Sequence, residues 1–206
     1  MVSLSELKKQ AGFQAADLVQ DGQRVGLGTG STAAFMVEHL ADRIHKEGLH
    51  IEAVSTSWST TLQCRQLGIP LVNLCDTSSL DIAMDGADEI DPQRNLIKGR
   101  GAAHLLEKIV AAMARHYVII ADSSKRVDRL GDKFAVPLEV LSGALSLVTA
   151  KVQSLGAQIT VRQGSPGKDG PVISDSGNLI LDAKFPGISD PAKLALELDQ
   201  IPGLVG

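Results

Sequence analysis

The sequence is poor in cysteine, in aromatic side chains and in long apolar runs, and each shortage excludes something. Its two cysteines, Cys64 and Cys75, form no Cys-x-x-Cys pair and have no histidine cluster beside them, so no metal site is expected. Two isolated cysteines fit a reducing compartment and a buried structural role. Four Phe, one Trp and one Tyr are too few for base-stacking platforms. Basic residues show no surplus: 20 Lys and Arg stand against 24 Asp and Glu, a net charge of −4. A nucleic-acid partner is therefore not expected. The longest strongly apolar run, Tyr117–Ala121, falls far short of the ~20 residues that span a bilayer. Glu6, Lys8 and Lys9 interrupt the N-terminus before any apolar stretch develops, which is not how a secretory signal begins. The expectation is a soluble cytoplasmic protein with no membrane contact.

What is present is the material of a sizeable core. The chain has 206 residues, of which 44% are apolar. That length suits one large domain or two small ones. Glycine, at 20 residues, exceeds its usual share and points to tight turns or close backbone approaches.

Ser3-x-x-Glu6 is a capping box that opens a first helix, with Leu4, Leu7, Ala11, Ala15 and Leu18 at helical spacing. A strand over 24–28 leads to a helix over 31–47, which Gly48 stops. A strand at 51–54 and a helix at 57–67 follow, the helix closed by Gly68. Strands at 71–74 and 81–84, a helix at 102–115 and a strand at 117–121 complete the pattern. Strands alternating with helices predict parallel crossovers and an α/β sheet covered on both faces. After Lys125 the texture changes. Strands at 134–140 and 159–163 enclose a helix at 142–155, and extended pieces at 172–174 and 178–183 lie side by side. Asp190-Pro191 caps a last helix, with proline at its favoured first position. This tail predicts a partly antiparallel sheet. A domain boundary is expected near Val127–Lys133, and no internal repeat or low-complexity tract is found.

Gly26-Leu27-Gly28-Thr29-Gly30-Ser31-Thr32 lies between a strand and a helix. Glycines allow a sharp turn, the helix start offers unpaired N–H groups, and hydroxyls add donors, which together suit phosphate. Ser31 stands where a dinucleotide fingerprint needs its third glycine, and Val54-Ser55 stand where it needs an acid. No Gly-Lys-Ser/Thr is present, so a P-loop is excluded as well. The plainer alternative is a strand–helix turn with a serine cap.

Asp85-Gly86-Ala87-Asp88-Glu89-Ile90-Asp91 follows a strand directly. It reads as a solvated acidic loop or as carboxylates for hydroxyl recognition and proton traffic. Its spacing does not fit an EF-hand. Lys98-Gly99-Arg100-Gly101-Ala102-Ala103 then leads into a helix. Leu106, Ile109, Val110 and Met113 form its expected core face, with His104, Lys108 and Arg115 on the polar side. Glu107 falls among Ala103, Ala111 and Ala114, where desolvation would raise its pKa toward that of a useful base. The alternative is a boundary glutamate pairing with Lys98. Asp122-Ser123-Ser124-Lys125 follows another strand, and Ser55–Thr60 is a hydroxyl-rich cap or ligand loop. All five histidines read as structural or surface residues.

Convergence is the strongest argument. The turn at 28–32, the Ser55 loop, the Asp85 loop and Lys125 each follow the carboxyl end of a predicted strand. In an open parallel sheet those ends share one edge, where ligands bind. A phosphate cradle, carboxylates and lysines there suit a small anionic hydroxylated substrate undergoing proton transfer.

Gly28–Ala33, Asp85–Glu89, Lys98–Ala103, Glu107-Lys108 and Ala121–Lys125 resemble, in order and spacing, the motifs of the ribose-5-phosphate isomerase A family. The resemblance covers nearly the whole chain. It implies a Rossmann-like open parallel sheet domain, residues 1–130, and a smaller α+β, ferredoxin-like domain, residues 131–206. It implies interconversion of D-ribose 5-phosphate and D-ribulose 5-phosphate in the non-oxidative pentose phosphate pathway, with no cofactor and no metal. A homodimer or larger homo-oligomer is also implied. By resemblance Glu107 is the general base, and Asp85, Asp88 and Lys98 join it in catalysis around the sugar oxygens. Substrate binding is assigned to Thr29, Gly30, Ser31, Thr32, Asp85, Gly86, Ala87, Asp88, Lys98, Gly99, Arg100, Gly101 and Lys125, with Lys8 as an addition. Ser31, Thr32 and Lys125 would take the phosphate.

Two departures from the family pattern stand out. Arg100 occupies a position where many members have glycine. The family also continues past the position of Gly206 with a strand and a return segment, so an unpaired sheet edge is expected here, to be covered by a partner subunit or altered packing. A sugar-phosphate sensor domain without turnover is the rival reading. It explains the glycine turn but not Glu107 together with Asp85 and Asp88. Another aldose–ketose isomerase is a third.

Overall fold

Local signals account for most of the element boundaries. The computed structural model describes residues 3–206. In chain order the helices and strands are α1 (Leu4–Ala16), β1 (Arg24–Leu27), α2 (Ser31–Glu47), β2 (Glu52–Ser55), α3 (Trp58–Gln66), β3 (Leu80–Asp85), β4 (Glu89–Ile90), β5 (Leu96–Ile97), α4 (His104–Met113), β6 (Ala114–Ile119), β7 (Val136–Val140), α5 (Leu145–Ser154), β8 (Gln158–Val161), β9 (Leu179–Lys184) and α6 (Pro191–Asp199). The Ser3 side chain accepts the Glu6 N–H, Ser57 caps α3 and Asp190 caps α6, each satisfying a helix-end donor. Gly48 takes the left-handed conformation that ends α2. The segment expected as a strand at 71–74 makes only a bridge from Leu71 to Ala53, then turns as a 3-10 helix over Leu74–Asp76.

Two units compose the chain, and they are not consecutive stretches of it. The first comprises residues up to Gly86 together with Leu106–Ser124, and the second Ala87–Leu105 together with Lys125–Gly206. The chain passes between units at Gly86–Ala87, Leu105–Leu106 and Ser124–Lys125, inside or beside the motifs singled out in the sequence.

In the first unit a parallel sheet has the order β2-β1-β3-β6. Val25 pairs with Ala53 and with Ile82, and Ile82 with His116. Alternation sends Val25, Leu27, Ile82 and Met84 into one core with α1 and α2. Val54 and Ala83 face the other way, and Leu80, at the start of β3, packs with them and with Val110 of α4. Gly26 makes that second contact possible, since a Cβ there would lie 2.5 Å from Val110 Cγ1.

Two helix faces differ from the sequence expectation. Leu4, Leu7 and Leu18 are 52%, 41% and 52% exposed; of that stripe Ala15 is buried, together with Gly12 and Ala16. A Cβ on Gly12 would fall 2.8 Å from Met36 N and Thr32 O, so only a small-residue face brings α1 this close to α2. On α4, Ile109 is 39% exposed and His104 is buried, so the inward face is rotated toward Ala103, His104, Glu107 and Val110. The sheet receives this helix through Val110, beside Gly26.

The second unit holds a β4–β5 hairpin and an antiparallel sheet of order β7-β9-β8. Leu138, Val140, Leu181 and Ala183 pack with Val148, Val152 and Leu198. The edge expected to be unpaired carries hydrogen bonds. Leu204 bridges Val140, Glu139 N donates to Gly206 O at 2.8 Å, and Val205 N donates to Glu139 O at 2.9 Å. Residues 204–206 thus lie along the outer side of β7, the place of the fourth strand in a split β-α-β motif.

Candidate active site

β1 ends at Leu27, and the chain must turn at once beside Asp85. A Cβ on Gly28 would sit 2.2 Å from Asp85 Oδ1 and 2.6 Å from its Cα, so glycine is obligatory there. Asp85, 2% exposed, accepts the N–H of Thr29 at 3.0 Å and that of Gly86 at 2.7 Å on Oδ1. The Thr29 hydroxyl donates to Ser57 Oγ at 2.7 Å, with Thr56 Oγ1 at 2.8 Å, while Thr60 Oγ1 donates to Gly28 O at 2.9 Å. The hydroxyl-rich loop after β2 is therefore both the cap of α3 and the anchor of the glycine turn. Thr29 belongs to this anchor through its side chain.

Gly30, at φ 120°, begins α2 without a side-chain cap. The first N–H groups of a 17-residue helix and the positive end of its dipole are set at this turn. Ser31 is exposed here, Thr32 is 9% exposed, and Lys8 of α1 donates to Ser31 Oγ at 3.0 Å. Lys8 thus joins Ser31 at the α2 N-terminus, where unpaired N–H groups suit an anion.

Glu107, 5% exposed, sits one turn before Val110 on the buried side of α4. Strand β3 and strand β6, which α4 joins, are parallel, so α4 runs back against them. Its N-terminal turn therefore lies toward the carboxyl ends of the strands, the edge that carries Gly28–Thr32 and Asp85. At the same edge, after β6, Asp122 accepts the Ser124 N–H at 2.9 Å and Ile120 N donates to Asp85 O at 2.8 Å.

Ala87, Asp88, Lys98, Gly99, Arg100, Gly101 and Lys125 belong to the second unit. Asp88 donates its N–H to Ile97 O at 2.8 Å, which ties it to the end of the hairpin. Its carboxylate accepts the Arg100 N–H at 3.1 Å and lies 3.5 Å from Arg100 Nε. Arg100 is thereby oriented: its guanidinium stands beside Asp88 and 5.9 Å from the Phe134 ring centre. Lys125 Nζ lies 5.4 Å from the same ring. Asp88, Arg100, Lys133, Phe134, Ala135, Pro137, Arg162 and Asp182 line a cavity of about 410 Å³.

The acidic run divides by role. Glu89 is fully buried and accepts the backbone N–H groups of Gly131, Lys133 and Phe134, each at 2.6 Å. Asp91 closes a turn on Asn95, accepting its backbone N–H at 2.7 Å and its side-chain amide at 2.8 Å. Neither was separable from Asp85 and Asp88 by composition. Phe134, Arg162 and Asp182 carried no local signal. Among the described residues no cluster of His, Cys, Asp or Glu is arranged to hold a metal ion. Among them, too, no helix is long and apolar enough to cross a membrane.

Comparison with known proteins shows the family. The sequence model of the family described as ribose 5-phosphate isomerase A (phosphoriboisomerase A) matches residues 52–206. The chain belongs to the ribose 5-phosphate isomerase A family. It is 48% identical to the ribose-5-phosphate isomerase A of Thermosynechococcus vestitus, over 98% of this chain and 86% of that one. Identity to the enzyme of Methanothermobacter thermautotrophicus is 47%, over 97% and 87%. Among solved structures, ribose 5-phosphate isomerase A from Methanocaldococcus jannaschii is 41% identical with a TM-score of 0.94, covering 98% of this chain and 89% of that one. A D-ribose-5-phosphate isomerase in complex with phospho-erythronic acid gives the same TM-score at 40% identity, with the same coverage of 98% and 89%. At these TM-scores the two solved structures share the chain's α/β fold.

Proposed function

We propose that this chain is a ketol-isomerase that interconverts D-ribose 5-phosphate and D-ribulose 5-phosphate through an enediolate. The observation that carries the reading lies within the first unit. Glu107 is a buried carboxylate on the helix end at the carboxyl edge of the sheet, and that edge also carries the open N-terminus of α2 with Lys8 on Ser31. A phosphate held by Ser31, Thr32 and the α2 N–H groups leaves the sugar to extend from an anchored end. Glu107 takes the proton from C2 of the aldose and returns it to C1, or the reverse. Lys98 stabilises the oxyanion that forms, since a fixed cation needs no reorganisation as charge develops. Asp85 and Asp88 meet the sugar hydroxyls, and Lys125 adds charge for the phosphate.

The reaction moves one proton pair within a single molecule and so needs no external oxidant or reductant. The comparisons lend nothing to the rival sensor reading, since the relatives named above are isomerases. In the cell the reaction belongs to the non-oxidative pentose phosphate pathway, in the cytoplasm, performed by a homodimer or larger homo-oligomer. Sedimentation velocity tests the assembly, and a monomer at high concentration would contradict it. The decisive assay follows ribulose 5-phosphate formed from ribose 5-phosphate in EDTA, beside Glu107→Gln. Turnover insensitive to EDTA, and lower by ~10²–10⁴-fold in the variant, is the expected result. A folded wild type without turnover would sink the reading.

A further inference from the structure

The segment from Lys98 to Ala102 joins β5 to α4 and is not stiff by composition. It contains two glycines, Gly99 stands at φ 95° and Ala102 at φ 59°, a conformation that side chains other than glycine rarely adopt. Such a bend persists only where its surroundings hold it. Asp88 supplies one restraint, accepting the Arg100 N–H.

The other restraint comes from the small sheet. Arg162 lies just beyond β8, and Asp182 belongs to β9, whose register pairs Thr160 with Asp182. Arg162 Nε donates to Asp182 Oδ2 at 2.9 Å, and Nη2 donates to Oδ1 of the same carboxylate. Nη1 is left to face the loop. It donates to the carbonyl of Arg100 at 2.8 Å and to that of Gly99 at 3.3 Å. One planar guanidinium thus grips a carboxylate with one edge and two loop carbonyls with the other. Its side chain is 17% exposed and that of Asp182 is 29% exposed, so the pair is shielded from full solvent screening.

We infer that Arg162, oriented by Asp182, is a positioning residue for the reaction: it sets the loop from which Lys98 and Arg100 project. This inference rests on the reading that Lys98 stabilises the oxyanion. Fixing the Gly99 and Arg100 carbonyls fixes the direction of the peptide that carries Lys98. A loss of about 1 Å in the placement of such a group costs up to ~10²-fold in rate. Lysine cannot replace the guanidinium, because a single ammonium offers no fork to hold Asp182 and both carbonyls together.

The test uses the full chain and compares Arg162→Met, Arg162→Lys, Lys98→Met and the double variant Arg162→Met/Lys98→Met. Arg162→Met is expected to lower kcat by ~10–100-fold while KM for ribose 5-phosphate changes by less than ~3-fold, with an unaltered far-UV spectrum. Arg162→Lys is expected not to restore kcat. The double variant is expected to be no slower than Lys98→Met alone, since Arg162 acts through the Lys98 loop. Multiplying losses in the double variant, or full activity in either Arg162 single variant, would overturn the inference. If Lys98→Met turns over like wild type, the reading of Lys98 has failed, which is a separate outcome from an inactive Lys98→Met beside an unaffected Arg162→Met. Should Arg162→Met not fold, Asp182→Asn, which loosens the same fork, takes its place with the same expected kcat loss.

Discussion

Gly28 and Asp85 approach so closely that the α-hydrogen of the glycine occupies the only space a side chain would have. A Cβ at Gly28 would stand 2.2 Å from Asp85 Oδ1 and 2.6 Å from Asp85 Cα. The second distance matters more, because a backbone atom cannot rotate away as a carboxylate can.

Gly28→Ala should therefore displace β3 at Asp85 rather than merely turn its side chain. Overpacking of this kind costs ~1–3 kcal/mol of stability. A loss in kcat/KM of about 10²-fold is expected beside it, since Asp85 and the glycine turn move together. Urea unfolding read beside steady-state kinetics checks both. An alanine variant with wild-type kcat/KM would contradict the close approach.

Thr29 anchors the glycine turn through its hydroxyl, which Ser57 and Thr56 meet at 2.7 and 2.8 Å. Thr29→Val keeps the shape and removes the hydroxyl, leaving buried partners unsatisfied at ~1–3 kcal/mol. Thr29→Ser should keep most of the stability. The expected kinetic mark of Thr29→Val is a raised KM for the phosphosugar, since the turn that opens α2 loosens. Equal stability of the Val and Ser variants would show that the hydroxyl is not the anchor.

Glu89 offers two oxygens to three backbone N–H groups of the loop at 131–134. Glu89→Gln replaces one acceptor with a donor that faces another donor. Each N–H left without a partner in this buried place costs ~1–3 kcal/mol. The variant should unfold at lower urea and show faster amide exchange at Gly131, Lys133 and Phe134 than at β9. Unchanged protection of those three amides would refute the clamp.

Burial pushes the Cys64 thiol up from 9.0 to about 11, whereas Cys75 is exposed. At pH 8 a thiol reagent should therefore modify one cysteine in the native protein and both in denaturant. The linkage has a definite sign. Cys64 keeps its proton in the folded state where the unfolded chain loses it, so its contribution is complete below pH 9 and is lost as pH rises through about 11. Cys64→Ala should flatten the alkaline fall in stability. Two rapidly reacting thiols in the native protein would contradict the assignment.

Much of the fold could be read directly because its signals are local. Ser3, Ser57 and Asp190 cap helices through neighbours three residues on, and Gly48 ends one through its own backbone freedom. Strand–helix alternation announced the parallel sheet, and the residues after its strand ends announced the edge that carries Gly28–Thr32, the Ser55 loop and Asp85. The family followed from motifs that each lie within a few consecutive residues.

Other features depend on partners distant in the chain, and there only the tertiary structure decided. Helical spacing places apolar residues on a stripe, but the contact at Gly12 turned the small side of α1 inward and left Leu4, Leu7 and Leu18 exposed. On α4, Glu107 is enclosed while Ile109 is left exposed. Within one acidic run, Asp85 and Glu89 have the same formal charge. What separates them is which backbone amides fold against each: Thr29 and Gly86 for the first, Gly131, Lys133 and Phe134 for the second. Arg162 and the Gly99 carbonyl are 63 positions apart, and no local pattern can join them. A sequence records which groups a chain carries and how they repeat. Which carboxylate is enclosed and which guanidinium meets which carbonyl is set by packing, because hydrogen bonding and desolvation act through space.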